Sequence, residues 1–175
     1  MRARAVLCLL LLASPVAAQW KGWDYDNDRA VEKLKEEETR LPAFPDNADL
    51  VRFEASAASS HRYYIDSKSL SVGEDGIVRY TLLIRTSGGA INVSYEGMWC
   101  DSQQVKVYAT GGANGNWMRA RDPHWSRIER RSVDIHHAVL FTDFFCTLKT
   151  TKTPVARVEE ALELLRKGSR ESVRE

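Results

Sequence analysis

Residues 77–99 read IVRYTLLIRTSGGAINVSYEGMW, and this stretch decides the fold. Two runs rich in β-branched and aromatic residues flank a small Ser-Gly-Gly step, so they read as the arms of a β-hairpin. Alternate strand residues share a face. Val78, Tyr80, Leu82 and Ile84 make one face of the first arm apolar, while Ile77, Arg79, Thr81, Leu83 and Arg85 make the other mixed. In the second arm Ile91, Val93 and Tyr95 alternate with Asn92, Ser94 and Glu96. A two-residue Gly88-Gly89 turn, whose positive φ glycine adopts at little steric cost, sets Ser87 opposite Ala90. That register pairs Ile84 with Val93, Leu82 with Tyr95 and Tyr80 with Gly97; on the other face Arg85 meets Asn92 and Thr81 meets Glu96.

The polar hairpin face, Arg79, Thr81, Arg85, Asn92, Ser94 and Glu96, is then the candidate binding surface. Two guanidiniums beside a carboxylate and hydroxyls suit an anionic small ligand or the carboxylates of a partner protein. The competing reading is the solvated side of a one-sided sheet, with Arg79 pairing Glu96.

Upstream of the hairpin, Leu50 to Phe53 and Tyr63 to Asp66 read as short strands around the loop ASAASS, and Asp75-Gly76 is a turn signal. Downstream, VKVYATG, from Val105 to Gly111, is a further strand and GGANGNW a plain turn. Residues 136–145 are almost wholly apolar; periodicity does not separate buried strand from helix there, and a strand leading into Cys146 is the favoured reading. Pro154 in a first turn behind Thr153, a stripe of Val155, Val158, Leu162 and Leu165, and Gly168 at the end predict a C-terminal helix. Near the other end, Glu- and Lys-rich residues 29–40 predict a surface helix capped by Asp28, ended by Pro42 and Pro45. The resulting class is α+β: an antiparallel sheet of about five or six strands with an N-terminal and a C-terminal helix packed on it.

The first eighteen residues read differently. Arg2 and Arg4, an apolar run from Val6 to Ala13 and the small-residue site Val16-Ala17-Ala18 predict a secretory signal peptide, so the expected organisation is 1–18 leader, 19–168 single domain and 169–175 charged tail. Losing Arg2 and Arg4 takes 25 basic residues to 23 against 24 acidic ones, a mature net charge of −1. The basic residues are not gathered on one element, which argues against nucleic acid, and no later apolar run is long enough to span a bilayer. Cys8 leaves with the leader. Cys100 and Cys146 remain, and two cysteines in an oxidising compartment are most simply a disulfide.

Catalytic and cofactor signals are weak. Asp24, Asp26 and Asp28 have calcium-loop spacing, but Arg29 stands where glycine is needed and Lys35 where glutamate is needed. His61, His124, His136 and His137 are scattered, and no nucleophile elbow, zinc-protease helix or Walker loop is present, so neither a metal nor a cofactor is expected. A hydrolase whose carboxylates or histidines are assembled by folding stays open as the alternative class.

The run YYIDSKSLSVGEDGIVRYTLLIRTSGGAINVSYEGMWC, with KVYATG, NGNW and a later FFC, resembles the CNP-1-like family of exported proteobacterial proteins. The likeness covers Trp20 to Cys146, and DGIVRYTLLIR with NVSYEG carries it. It implies the Cys100–Cys146 bridge and transfers no catalytic residue. The expectation is a periplasmic, envelope-associated binding module.

Overall fold

The computed structural model describes residues 36–112, 114–130, 134–146 and 154–171, with side chains of the last helix described from 157 to 168. The signal-peptide reading, the Asp24–Asp28 cluster, Thr153 and residues 29–35 of the expected first helix lie outside them.

Among the described residues seven strands form one antiparallel sheet: β1 (Leu50–Phe53), β2 (Arg62–Val72), β3 (Val78–Arg85), β4 (Ile91–Trp99), β5 (Gln104–Gly111), β6 (Trp117–Arg119) and β7 (Ser126–Arg127). The first six neighbour one another in chain order, and β7 pairs with β5. Such a meander needs only short connections, which the Gly-rich turns at 73–76 and 87–89 and the Gly112–Asn116 closure supply.

The β3–β4 hairpin exists, but its register is one residue from the expected one. Tyr80 stands opposite Glu96, Leu82 opposite Ser94, Leu83 opposite Val93 and Arg85 opposite Ile91. Thr86 pairs with Ala90, its N–H donating to the Ala90 carbonyl at 2.9 Å, so the loop has three residues, Ser87-Gly88-Gly89. Of these only Gly89 takes a positive φ, +84°. A one-residue slip moves every side chain of one arm to the opposite face. Glu96 and Met98 therefore share a face with Tyr80 and Val78, whereas Tyr95 and Val93 share a face with Thr81 and Leu83.

Two helices cover the inner face. Helix α1 (Ile135–Val139) runs into a π-helical turn, Leu140–Phe145, in which Cys146 N–H reaches back to the Phe141 carbonyl at 3.0 Å. The stretch ahead of Cys146 is thus helical, not a strand: its apolar residues are buried from one side, with Phe145 against Tyr80 and Phe144 edge-on to Phe53. Helix α2 (Pro154–Glu171) packs across β1 and β2 through Val158, Ala161, Leu162 and Leu165. It continues through Gly168, where the helix was expected to stop. Tyr80, Ile65, Met98, Leu140 and Leu165 have no exposed surface and form the centre of this core. The Cys100–Cys146 disulfide, Cα–Cα 5.3 Å, joins the end of β4 to the π-helical turn.

The outer face is covered by an extended strap where the end of the first helix was expected: residues 36–46 have no regular structure. Tertiary partners override helix propensity here. Leu41 and Trp117 pack on Tyr95, Tyr108 and Ala109, and Trp117 Nε1 donates to the Pro42 carbonyl at 2.9 Å. Glu37 N–H donates to Asp75 at 3.0 Å, and Lys106 Nζ bonds Glu36 at 2.9 Å. Tyr108, the extra residue of a bulge facing Tyr95 and Glu96, lies against Gly97, where a Cβ would fall 2.5 Å from its hydroxyl. Both faces being covered, the sheet is not one-sided.

Candidate functional site

The corrected register places a carboxylate in the inner core. Glu96, 3% exposed, accepts hydrogen bonds from Ser94 Oγ at 2.6 Å and Tyr80 OH at 2.9 Å, and its Oε2 lies 2.8 Å from His137 Nε2. Burial alone raises a carboxyl pKa, but the His137 charge and the three donors outweigh it and hold Glu96 down at about 2. Burial lowers His137, yet Glu96 and then Asp134 more than offset it, so its pKa is raised. The pair is a buried histidine–carboxylate contact tying α1 to β4. A general base needs a free lone pair near neutral pH. Glu96 already accepts three hydrogen bonds and its carboxyl is held low, and the same contact raises His137, so this pair suits a structural tie better than acid–base work.

His136 and His137, their ring centroids 4.1 Å apart at the start of α1, border different grooves. His137 borders a small groove of about 280 Å³ with Val105, Val107, His124 and Asp134. His136 stacks on Tyr63, ring centroids 5.4 Å apart, and borders a larger groove of about 680 Å³. The larger groove lies between the 54–61 loop, the start of α1 and the turn end of β3 and β4. Serine hydroxyls (Ser56, Ser59, Ser60), His61, Thr86, Asn92 and Arg130 line it over a floor of Tyr63, Ile84 and Ile135. The Ser87 N–H donates to His61 Nδ1 at 3.3 Å, which leaves Nε2 of that ring to carry the proton.

Ser60 and Thr86 also belong to a second hollow of about 330 Å³ lined by Arg62, Arg85, Ser87 and Gly89. Arg62 and Arg85 are direct cross-strand partners. Arg85 donates to Asn47 Oδ1 at 2.7 Å and lies over the Tyr64 ring at 5.0 Å. Among the described residues no aspartate or glutamate lines either hollow. The turn end of the sheet therefore gathers hydroxyls, imidazoles and three guanidiniums, with no described aspartate or glutamate lining its hollows.

The six residues expected to share one polar face are divided by the register. Arg79, Thr81 and Arg85 lie on the outer face, and Asn92, Ser94 and Glu96 on the inner one. Arg79 and Thr81 are buried beneath the strap. Arg79 bonds Asp75 at 2.6 and 3.0 Å in a buried ion pair instead of pairing Glu96. Ser94 serves Glu96. Only Arg85 and Asn92 reach the turn-end hollows. The contributions of His61, Arg62, Arg130 and His136 were not foreseen. The one sequence signal, for His61 and Arg62 alone, was the hydroxyl-rich ASAASSHR run, which reads equally as an ordinary loop.

No group of three or more His, Cys, Asp or Glu placed to hold a metal occurs among the described residues, and no described helix is long and apolar enough to cross a membrane. The model of the CNP1-like family matches residues 29–166. Cryptic neisserial protein 1 from Neisseria gonorrhoeae (strain ATCC 700825 / FA 1090) is 26% identical over 116 residues, 58% of this chain and 57% of its own length. The chain thus spans less than two thirds of that relative. No solved structure matches.

Proposed function

The chain belongs to the CNP1-like family, and from that premise we propose that it is an exported, non-catalytic binding module of the bacterial envelope. It acts at the turn end of its sheet, holding a small anionic ligand or an acidic group of an envelope partner. The observation that carries this reading is the carboxylate-free lining of the two joined hollows, with Arg62, Arg85 and Arg130 around them. A guanidinium offers five donors, so even Arg85, which uses one on Asn47, has donors for an external acceptor where no described acidic residue lines the hollow. A polar-lined concavity of this volume is in the range that encloses small molecules. Export rests on the leader-like residues 1–18 and on the disulfide, which an oxidising compartment maintains.

A ligand that binds only the folded state raises its stability. Adding the small-molecule extract of the periplasm should raise the melting temperature of the wild-type protein and leave Arg62→Glu and Arg130→Glu variants unmoved. Equal shifts in all three proteins, or none in the wild type, would contradict binding at this end. Export is checked by mass spectrometry of the mature protein, with Gln19 as the expected first residue.

A further inference from the structure

The geometry points to an anionic sugar as the ligand of the turn-end site, a polyhydroxylated ring carrying a phosphate or carboxylate group. This inference rests on the binding-module reading and names its ligand class. The two hollows divide the labour. Arg62 and Arg85 are cross-strand partners on the β2–β3 ladder and both line the smaller hollow. Like charges directly opposite on a sheet repel. An anion seated between them removes that repulsion, and the planar guanidinium fork suits phosphate and carboxylate oxygens alike.

The larger hollow has a different chemistry. Ser60 and Asn92 carry groups that donate and accept and His61 keeps Nε2, matching sugar hydroxyls, which also do both, while the Ser59 and Thr86 hydroxyls are engaged within the 54–61 loop and the β3–β4 turn. Tyr63, Ile84 and Ile135 give it an apolar floor for a ring's C–H face, and about 680 Å³ accommodates one or two rings. Ser60 and Thr86, shared by both hollows, keep the charged group and the ring within one molecule's reach.

A peptide fits less well. Extended peptides bind by adding a strand to a free sheet edge. The larger hollow lies over the ends of β3 and β4, where β3 is paired on both sides and β4 pairs with β5 from Ser94 onward.

The test is isothermal titration calorimetry of the mature protein with glucose 1-phosphate, glucuronate, glucose and inorganic phosphate. The site predicts that at least one anionic sugar binds tenfold or more tightly than glucose and than phosphate. The tighter of the two identifies the charged group. Arg62→Glu should weaken that sugar tenfold or more, and Asn92→Ala should weaken it while leaving phosphate unchanged; circular dichroism checks that both variants fold. Anionic sugars binding no better than phosphate, or binding Arg62→Glu as well as wild type, would overturn the assignment. If the periplasmic extract still stabilises the protein through Arg62 and Arg130 while the sugars fail, the ligand class falls and the binding-module reading stands.

Discussion

Arg62 faces Arg85 directly across the β2–β3 ladder, and no described acidic residue lines the hollow between them. Sheets ordinarily avoid such pairs, because opposed like charges cost stability and opposed unlike charges add about 0.2–1 kcal/mol. Arg62→Glu should therefore raise the free energy of unfolding by up to about 1 kcal/mol while abolishing anion binding. Urea unfolding and calorimetry on the same variant check both halves. A variant that gains stability and keeps its affinity would remove the reason given for the pair.

The Glu96–His137 contact predicts a pH window. His137 has a raised folded-state pKa, so its contribution is full below the ordinary histidine value of 6.5 and is lost as pH rises through the folded value. Glu96 is held down at about 2, so its contribution is full above 4.5 and is lost as pH falls toward 2. The pair stabilises most between those limits. Removing one partner of a buried ion pair leaves the other charge uncompensated, so Glu96→Gln should cost about 3–5 kcal/mol in that window. Urea unfolding at a series of pH values should show the difference from wild type shrinking on both sides.

The disulfide closes a loop with a sequence separation of 46. On the chain-entropy account, removing it should destabilise the fold by roughly 4 kcal/mol, chiefly by freeing the unfolded chain. Equilibrium unfolding of the Cys100→Ala, Cys146→Ala double variant measures this. Both sulfurs end elements of the inner core, so the loss should also loosen the π-helical turn, visible as faster amide exchange at residues 141–146.

Gly97 gives Tyr108 room beneath the strap. A Cβ there would meet the Tyr108 ring and hydroxyl at 2.5–3.0 Å, so Gly97→Ala should cost about 1–3 kcal/mol by overpacking. The displaced ring should also loosen residues 36–46, and limited proteolysis should cut the variant there before wild type. Equal cutting would mean that the strap is held independently of Tyr108.

Much of the sheet was legible in the residues, because a meander leaves its signature in local turns. The hairpin, the β1 and β5 strands, the cysteine pairing and the apolar stripe of α2 could all be read. The register was not. Every residue of β3 from Val78 to Leu83 is buried, including Arg79 and Thr81, so alternation could not show which face was polar. Two adjacent glycines also allow a two-residue or a three-residue loop, and the Thr86–Ala90 pairing separates them. That slip misplaced Glu96 and with it half of the expected binding face. Residues 136–145 are apolar enough for either kind of element, and their position over Tyr80 is a tertiary fact. The turn-end site draws on the 54–61 loop, β3, β4, α1 and Arg130, which meet only through the fold.

The central claim is that the carboxylate-free turn end is where this protein binds its ligand. Amide chemical-shift mapping of the isotope-labelled mature protein during titration with the periplasmic small-molecule extract tests it most directly. The account predicts that the largest shifts gather at Ser60, His61, Thr86 and Asn92. Shifts centred on α2 or on the groove beside His137, or no shifts at all, would contradict it.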